Sequence, residues 1–283
     1  MATVTDIVFY PVKSCAGIAV REATLTRFGL AVDNVYDREW MLVGDDGLCL
    51  TQREYPRMAL VTPRLRTETL ELRAPGMLPL ELQLGLPHPD DTVLRHVRIW
   101  DDEVDAYDCG DLAATWFANA IGASCRLVRF HPEARRVAST KWTGGIEAPT
   151  MFSDGYPFLV IGEASLEDLN GKLRAAGRDA LPINRFRPNI VVSGTEAFDE
   201  DYTASFTSGP VVLKPVKPCP RCPMPSVDQA TGQFGPDPLD ILRTYRVKPQ
   251  LDDGICFGMN AILVSGEGER LRVGQVLETE LSF

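Results

Sequence analysis

The sequence predicts a mainly β protein with some α: a β-barrel-like unit over residues 1–128, then a second β-barrel with attached helices over residues 129–283. Three observations carry this. The first hundred residues break into short apolar runs at 4–12, 65–72, 78–84 and 93–104, divided by turn residues, the spacing of a sheet or barrel. Residues 40–51 read as a hairpin, with Asp45-Asp46-Gly47 between two apolar runs. In the second half, strand-like runs at 157–162, 189–194, 206–216, 256–265 and 271–278 outnumber the helical ones. Two helices stand out. Residues 111–122 carry an Asp at the start, Trp116 and Ile121 in an apolar stripe and Gly122 at the end. Residues 165–176 place Leu166, Leu169 and Leu173 on one face, with Ser165 and Asp168 as a capping box and Gly177 as the stop. Between the halves, residues 129–143 are basic and unpatterned, and Arg129, Arg135 and Arg136 read as a solvated linker.

A chain of 283 residues can bury a sizeable core as one large or two modest domains. It has no apolar run near 18 residues, so no helical membrane span is expected. The start, Met1 to Asp6, lacks the basic and apolar regions of a signal peptide. Seven cysteines without repeating spacing suit a reducing compartment, and the cytoplasm is the expected location. A net charge of −10 argues against a nucleic-acid binder and would steer toward the chain a partner with a basic docking face.

The chemistry concentrates in residues 217–246. Pro215, Pro218, Pro220, Pro223 and Pro225 surround Cys219 and Cys222, and each fixes φ and removes a backbone donor. The thiols therefore sit on a stiff, extended loop, not at the helix N-terminus that a thioredoxin-like pair requires. A structural zinc site needs a second ligand pair; Cys15, Cys49, Cys109, Cys125 and Cys256 are isolated, and no His follows His131. Two readings stay open: one thiolate beside Arg221 binding a metal whose other ligands come from a cofactor, or two ordinary loop cysteines. Downstream, residues 228–232 form a turn, and Asp237-Pro238 opens a short helix over 238–245.

The runs PCPRCPMPSVDQATG and PLDILRTYR, together with YPVKSC, the DR-x-W pattern at Asp37 and RFRPNI, resemble the MOSC family. The likeness is strongest to the branch of the mitochondrial amidoxime reducing component and its bacterial relatives, and it extends over nearly the whole chain. It implies that Cys222 is the protein ligand to molybdenum and that Lys13, Ser14, Arg38, Arg187 and Asn189 contact a molybdopterin, with Asp154 a pterin-pocket acid. An arginine suits that role because it makes bidentate, charge-assisted hydrogen bonds to a phosphate. Pro220 departs from the pattern, since relatives often carry a backbone donor there, and Gln275 stands where an Asp is common.

The resemblance further implies a molybdenum-cofactor-dependent oxidoreductase that reduces N-oxygenated compounds such as amidoximes and hydroxylamines. The cofactor would lie between the two units, with Arg221 steadying charge on the sulfur or orienting the substrate. No GxGxxG follows a strand and no ferredoxin-like cysteine run is present, so a separate electron-transfer protein of ferredoxin, flavin or cytochrome type is expected as partner. The alternatives are a sulfur carrier with a persulfide on Cys222 or Cys219, and a noncatalytic cofactor-binding module. Asp228, Asp237 and Asp240 suit turn and cap roles, Cys219 a spectator thiol, and His88, His96 and His131 have no metal-binding spacing.

Overall fold

The computed structural model describes residues 1–86 and 92–282, so His88 lies outside the described residues. Its architecture is a closed seven-stranded β-barrel and a half-barrel, the β-rich fold that the strand spacing predicts. Around the barrel the order is Phe158–Gly162, Ile190–Ser193, Ala2–Phe9, Val276–Leu281, Thr203–Ser208, Val211–Pro220 and Gly254–Ser265, which pairs back to Phe158–Gly162. Phe158–Gly162 and Ile190–Ser193 are parallel, and the helix Glu163–Ala175 is the crossover such a pair needs.

The halves of the chain are interlocked. Ala2–Phe9 buries Ala2, Val4, Ile7 and Phe9, and it pairs with strands from the second half on both sides. In return, Arg270–Arg272 pairs with Glu22–Thr26 of the first half. Phe9, Leu25, Trp40, Phe117, Phe158, Phe206 and Leu271 consequently share one core. The N-terminal strand thus delivers Tyr10 to Cys15 to the rim of a barrel made mostly by distant sequence.

Several elements follow the sequence closely. The hairpin after Trp40–Val43 turns at Gly47, where φ is +74°, and Leu50 N–H donates to Leu42 O at 2.8 Å. The helix Gly110–Ile121 ends on Gly122 in the left-handed conformation. The short helix is Leu239–Arg243, with Asp237 Oδ1 accepting Leu239 N–H at 3.0 Å.

Others differ, each for a physical reason. Residues 206–216 do not form one strand; Gly209 (φ +56°) and Pro210 turn Thr203–Ser208 into Val211–Pro220. That second strand extends through Pro215, Pro218 and Pro220, so Cys219 lies on a strand, not on a loop. Beyond Leu213 the strand pairs on one side with Gly254–Ser265, and its register shifts at the prolines. An edge with bulges is where proline is tolerated in a sheet. Ser165 is not a helix cap: Phe158–Gly162 runs directly into Glu163–Ala175, and Ser165 is buried, donating to Glu200 Oε2 at 2.8 Å.

The basic cluster is the largest correction. Arg129 belongs to the strand Arg126–Phe130, so the expected division at 128/129 cuts through paired backbone. Its guanidinium is buried, donating to Glu39 Oε1 at 2.6 Å and to the carbonyls of Leu84 and Gly85 at 2.8 and 3.0 Å. Arg136 is also buried, on Asp102 and the carbonyls of Met151, Ser153 and Asp154. Arg135 alone of the three is exposed. A guanidinium enters a protein interior when its donors are matched.

Candidate functional site

Where the N-terminal strand leaves the barrel, backbone bonds tie three segments together. Lys13 N–H donates to Trp40 O at 2.8 Å, Arg38 N–H to Tyr10 O at 2.7 Å, and Phe152 N–H to Arg38 O at 3.0 Å. Ser14, Arg38 and Arg187 all hold left-handed backbone, with φ of +64°, +53° and +55°. Non-glycine residues there are strained by about 1–3 kcal/mol each, and such strain clusters at functional sites.

Lys13, Ser14, Arg38, Asp154, Arg187, Asn189, Arg221 and Cys222 all line one cleft, with an empty volume of about 770 Å³ that is partly open to solvent. The sequence-predicted residues, the farthest more than two hundred positions apart, are therefore brought together.

Their environments differ. Lys13 is buried and donates to Phe152 O at 2.9 Å and to Asp154. Burial lowers its pKa, and the Asp154 carboxylate partly opposes that. For Asp154, desolvation in the cleft pushes upward, but Lys13, Arg38 and Arg53 outweigh it and hold the carboxyl below its ordinary range. Its side chain is 67 % exposed, so the effect is to keep Asp154 ionised at the cleft mouth, not to add much stability. Trp100 Nε1 donates to the same carboxylate at 3.3 Å, and the Arg53 guanidinium lies 4.2 Å from the Trp100 ring.

Asn189 lines the cleft with its amide engaged inside the chain. Its Oδ1 accepts from Arg38 Nη1 at 3.1 Å and from Leu159 N–H at 3.2 Å. Its Nδ2 donates to Val8 O at 3.2 Å and to Asp37 Oδ1 at 3.1 Å. An amide has two acceptor sites and two donors, and all are used. These bonds make Asn189 a fastener between the N-terminal strand, the Asp37-Arg38 turn and the barrel. Asp37, itself buried, also accepts Tyr10 N–H at 2.8 Å and pairs with Arg38.

Arg38 and Arg187 lie 4.4 and 4.3 Å from the Tyr10 ring. Arg221 fixes the cysteine segment: its N–H donates to Ile255 O at 2.7 Å, Nε to Phe257 O at 2.9 Å and Nη1 to Phe186 O at 3.1 Å. Cys222, half-buried, lines the cleft just past the end of Val211–Pro220. Cys219 packs against an apolar cluster, where burial raises its thiol pKa.

Sequence reasoning missed several residues. Arg185 lines the cleft and donates to the carbonyls of Pro225 and Ser226 at 3.3 and 3.1 Å and to Asp228 at 2.6 Å, so it clamps the turn after Cys222. Gln52 and Gln229 bond each other's amides at 3.2 and 2.9 Å, and Gln52 also holds Ser14 O at 2.7 Å. The paired arginines of RFRPNI were a signal for Arg185; a lone glutamine such as Gln52 gave none.

Does this site suit an anionic, metal-bearing cofactor? Arg187 Nη2, Arg221 Nη2 and Arg185 Nε are buried without a hydrogen-bond partner. Unpaired buried donors around one cleft are what a phosphate would satisfy. Among the described residues no three His, Cys, Asp or Glu side chains group to hold a metal, so a metal here would take one thiolate from the chain and its remaining ligands from a cofactor. The residues fit a molybdopterin.

Fold and cleft together define a barrel protein in which a cationic donor set and two half-buried cysteines, Cys219 and Cys222, line one cleft. Residues 1–124 match the MOSC N-terminal beta barrel domain and residues 147–278 the MOSC domain. Over 271 residues the chain is 37 % identical to mitochondrial amidoxime reducing component 2 of Rattus norvegicus, covering 92 % of this chain and 78 % of that one. It is 34 % identical to mitochondrial amidoxime-reducing component 1 of Homo sapiens, covering 87 % and 72 %. Human molybdenum cofactor sulfurase is 32 % identical over 81 % of this chain and 27 % of its own length. The chain belongs to the MOSC-domain family that includes the mitochondrial amidoxime reducing components.

Proposed function

We propose that this protein is a molybdenum-cofactor-dependent reductase of N-oxygenated compounds. The observation that carries the reading is one cleft lined by unpaired cationic donors and by the half-buried thiols of Cys219 and Cys222. The reaction is R–NH–OH + 2e⁻ + 2H⁺ → R–NH₂ + H₂O: the N–O bond breaks and its oxygen leaves as water. When bound, the cofactor supplies the two-electron oxygen-removal chemistry. Cys222 is the protein ligand to the metal. Lys13, Ser14 and Arg187 hold the pterin and its phosphate, Arg185 and Arg221 fix the Cys222 segment, and Arg38 and Asn189 build the wall. Arg221 Nη2 is one further unpaired donor on a residue that lines the same cleft. Asp154, kept ionised by Lys13, balances the cationic wall at the mouth.

Electrons come in this reading from a separate redox protein, and the substrate is a small molecule. No helix among the described residues is long and apolar enough to cross a membrane. The cytoplasmic location is part of the proposal, since the relatives above are mitochondrial by name.

The test is molybdenum per chain in wild type, Cys222→Ala and Cys219→Ala, each purified from a host that makes the cofactor. Near-stoichiometric metal in wild type and Cys219→Ala, with a large loss in Cys222→Ala, is expected. Wild type should then reduce an amidoxime with an artificial reductant but not with NADH alone. Cyanide-labile sulfur without metal would replace the reading with a persulfide carrier.

A further inference from the structure

The cationic side of the cleft accounts for the cofactor contacts, but another part of its lining carries polar groups with no role so far. Tyr156 follows the 151–155 loop, which is held rigidly: Arg136 donates to the carbonyls of Met151, Ser153 and Asp154, and Lys13 Nζ to Phe152 O at 2.9 Å. Tyr156 packs against the buried cluster of Ala138, Ala148 and Ile262. Its hydroxyl oxygen is nevertheless buried without a hydrogen-bond partner. Burial also pushes the phenol up to about 12, so the group is a proton donor throughout the neutral range.

Asn260 is the second such group. It sits in Gly254–Ser265 between Met259, 5 % exposed, and Ala261, 0 % exposed, and it is the one half-buried residue in the run 255–263. A polar residue in that position of an apolar strand faces an opening, and Asn260 does line the cleft. Its register partners are Leu159 and Lys217, from the strands on either side. Among the described residues its amide takes part in no side-chain hydrogen bond. In contrast to Asn189, its donors and its acceptor are free for a ligand.

We propose that Tyr156 and Asn260 are the substrate-orienting pair of the cleft, the phenol donating to the oxygen of the N–O group and the amide bonding the neighbouring nitrogen. The pair rests on the reductase reading and deepens it. It favours substrates that carry a second nitrogen next to the N–OH group, as amidoximes and N-hydroxylated amino-heterocycles do. A simple hydroxylamine engages the phenol but leaves the amide unmatched. Sites built to bond a polar group discriminate against analogues that lack it.

The experiment compares wild type with Tyr156→Phe, Asn260→Leu and Asn260→Ala, the last in case leucine disturbs the barrel. For each, molybdenum per chain is measured, then KM and kcat for acetamidoxime and N-methylhydroxylamine with reduced methyl viologen. Expected is wild-type metal content throughout. Tyr156→Phe raises KM at least tenfold for both substrates; the Asn260 variants do so for acetamidoxime and change N-methylhydroxylamine less than threefold. Constants within twofold of wild type in all variants would overturn the pair, and so would metal loss, which would make these residues cofactor contacts. A metal-replete wild type without turnover would defeat the reductase reading by itself. Acetamidoxime binding, followed by equilibrium dialysis, then decides the pair: weaker binding in the variants upholds it, and unchanged or absent binding in wild type rejects it.

Discussion

Asn189→Ala separates a wall-building role from a cofactor contact. The substitution removes four hydrogen bonds, to Val8 O, Leu159 N–H, Asp37 and Arg38. Val8 O and Leu159 N–H are backbone groups in a buried setting, and leaving such a group unmatched is destabilising by about 1 kcal/mol or more. Asp37 keeps Tyr10 N–H and its ion pair with Arg38, so the charged pair is weakened, not broken. That adds about 2 kcal/mol, below the range for stripping a buried charge of its partner. The expected loss is about 4 kcal/mol, a large share of ordinary domain stability.

The assay is urea unfolding of cofactor-free protein, made in a host that lacks the cofactor pathway. A pterin contact predicts no change in that material, because the contact does not exist there. A network role predicts the full loss. A variant within about 1 kcal/mol of wild type when cofactor-free, but unable to retain molybdenum, would refute the reasoning and return Asn189 to the cofactor.

Two further outcomes follow from the buried charges and thiols. Arg136→Ala strips the 151–154 loop of its guanidinium and is expected to be destabilising by about 3 kcal/mol, with new proteolytic cleavage in that loop; an unchanged urea midpoint would restore the solvated-linker view of residues 129–143. Burial raises the Cys15 thiol from 9.0 to about 12, and Cys125 and Cys256 from 9.0 to about 11. The folded state therefore keeps these protons while the unfolded chain loses them, so their contribution is fully present below pH 9 and is lost as pH rises toward 11–12. Unfolding free energy should fall between pH 9 and 10.5 with a slope of up to about 1.4 kcal/mol per pH unit for each thiol, and Cys15→Ala should flatten it; a level profile would contradict the assigned burial.

How much of this was legible in the sequence depended on whether the cause was local. The Asp-Gly hairpin and the helix ended by Gly122 are set by turn chemistry within a few residues, and they appear as expected. The partner of Ala2–Phe9 is not a local property: nothing in its alternation names Val276–Leu281. Buried arginines were misread for the same reason, because Glu39, Asp102 and the carbonyls that match Arg129 and Arg136 are contributed from other segments. Ser165 looked like a cap because helix-cap chemistry is local, whereas Glu200, which accepts its hydrogen bond, lies 35 residues on.

The site was legible as a set and not as a set of roles, and the structure supplies a reason. Three of its residues hold left-handed backbone, at Ser14, Arg38 and Arg187, and strain of that kind persists only where neighbours over-determine it. Those neighbours are Asn189, Asp37, Tyr10 and the Gln52–Gln229 pair. A preformed cleft therefore depends on residues that touch no ligand as well as on those that do. Loss of cofactor on substituting a motif residue is consequently weak evidence of contact in this protein. Hydrogen-bond capacity is the better guide: it is spent at Asn189, open at Arg187 and Arg221, and untouched at Asn260.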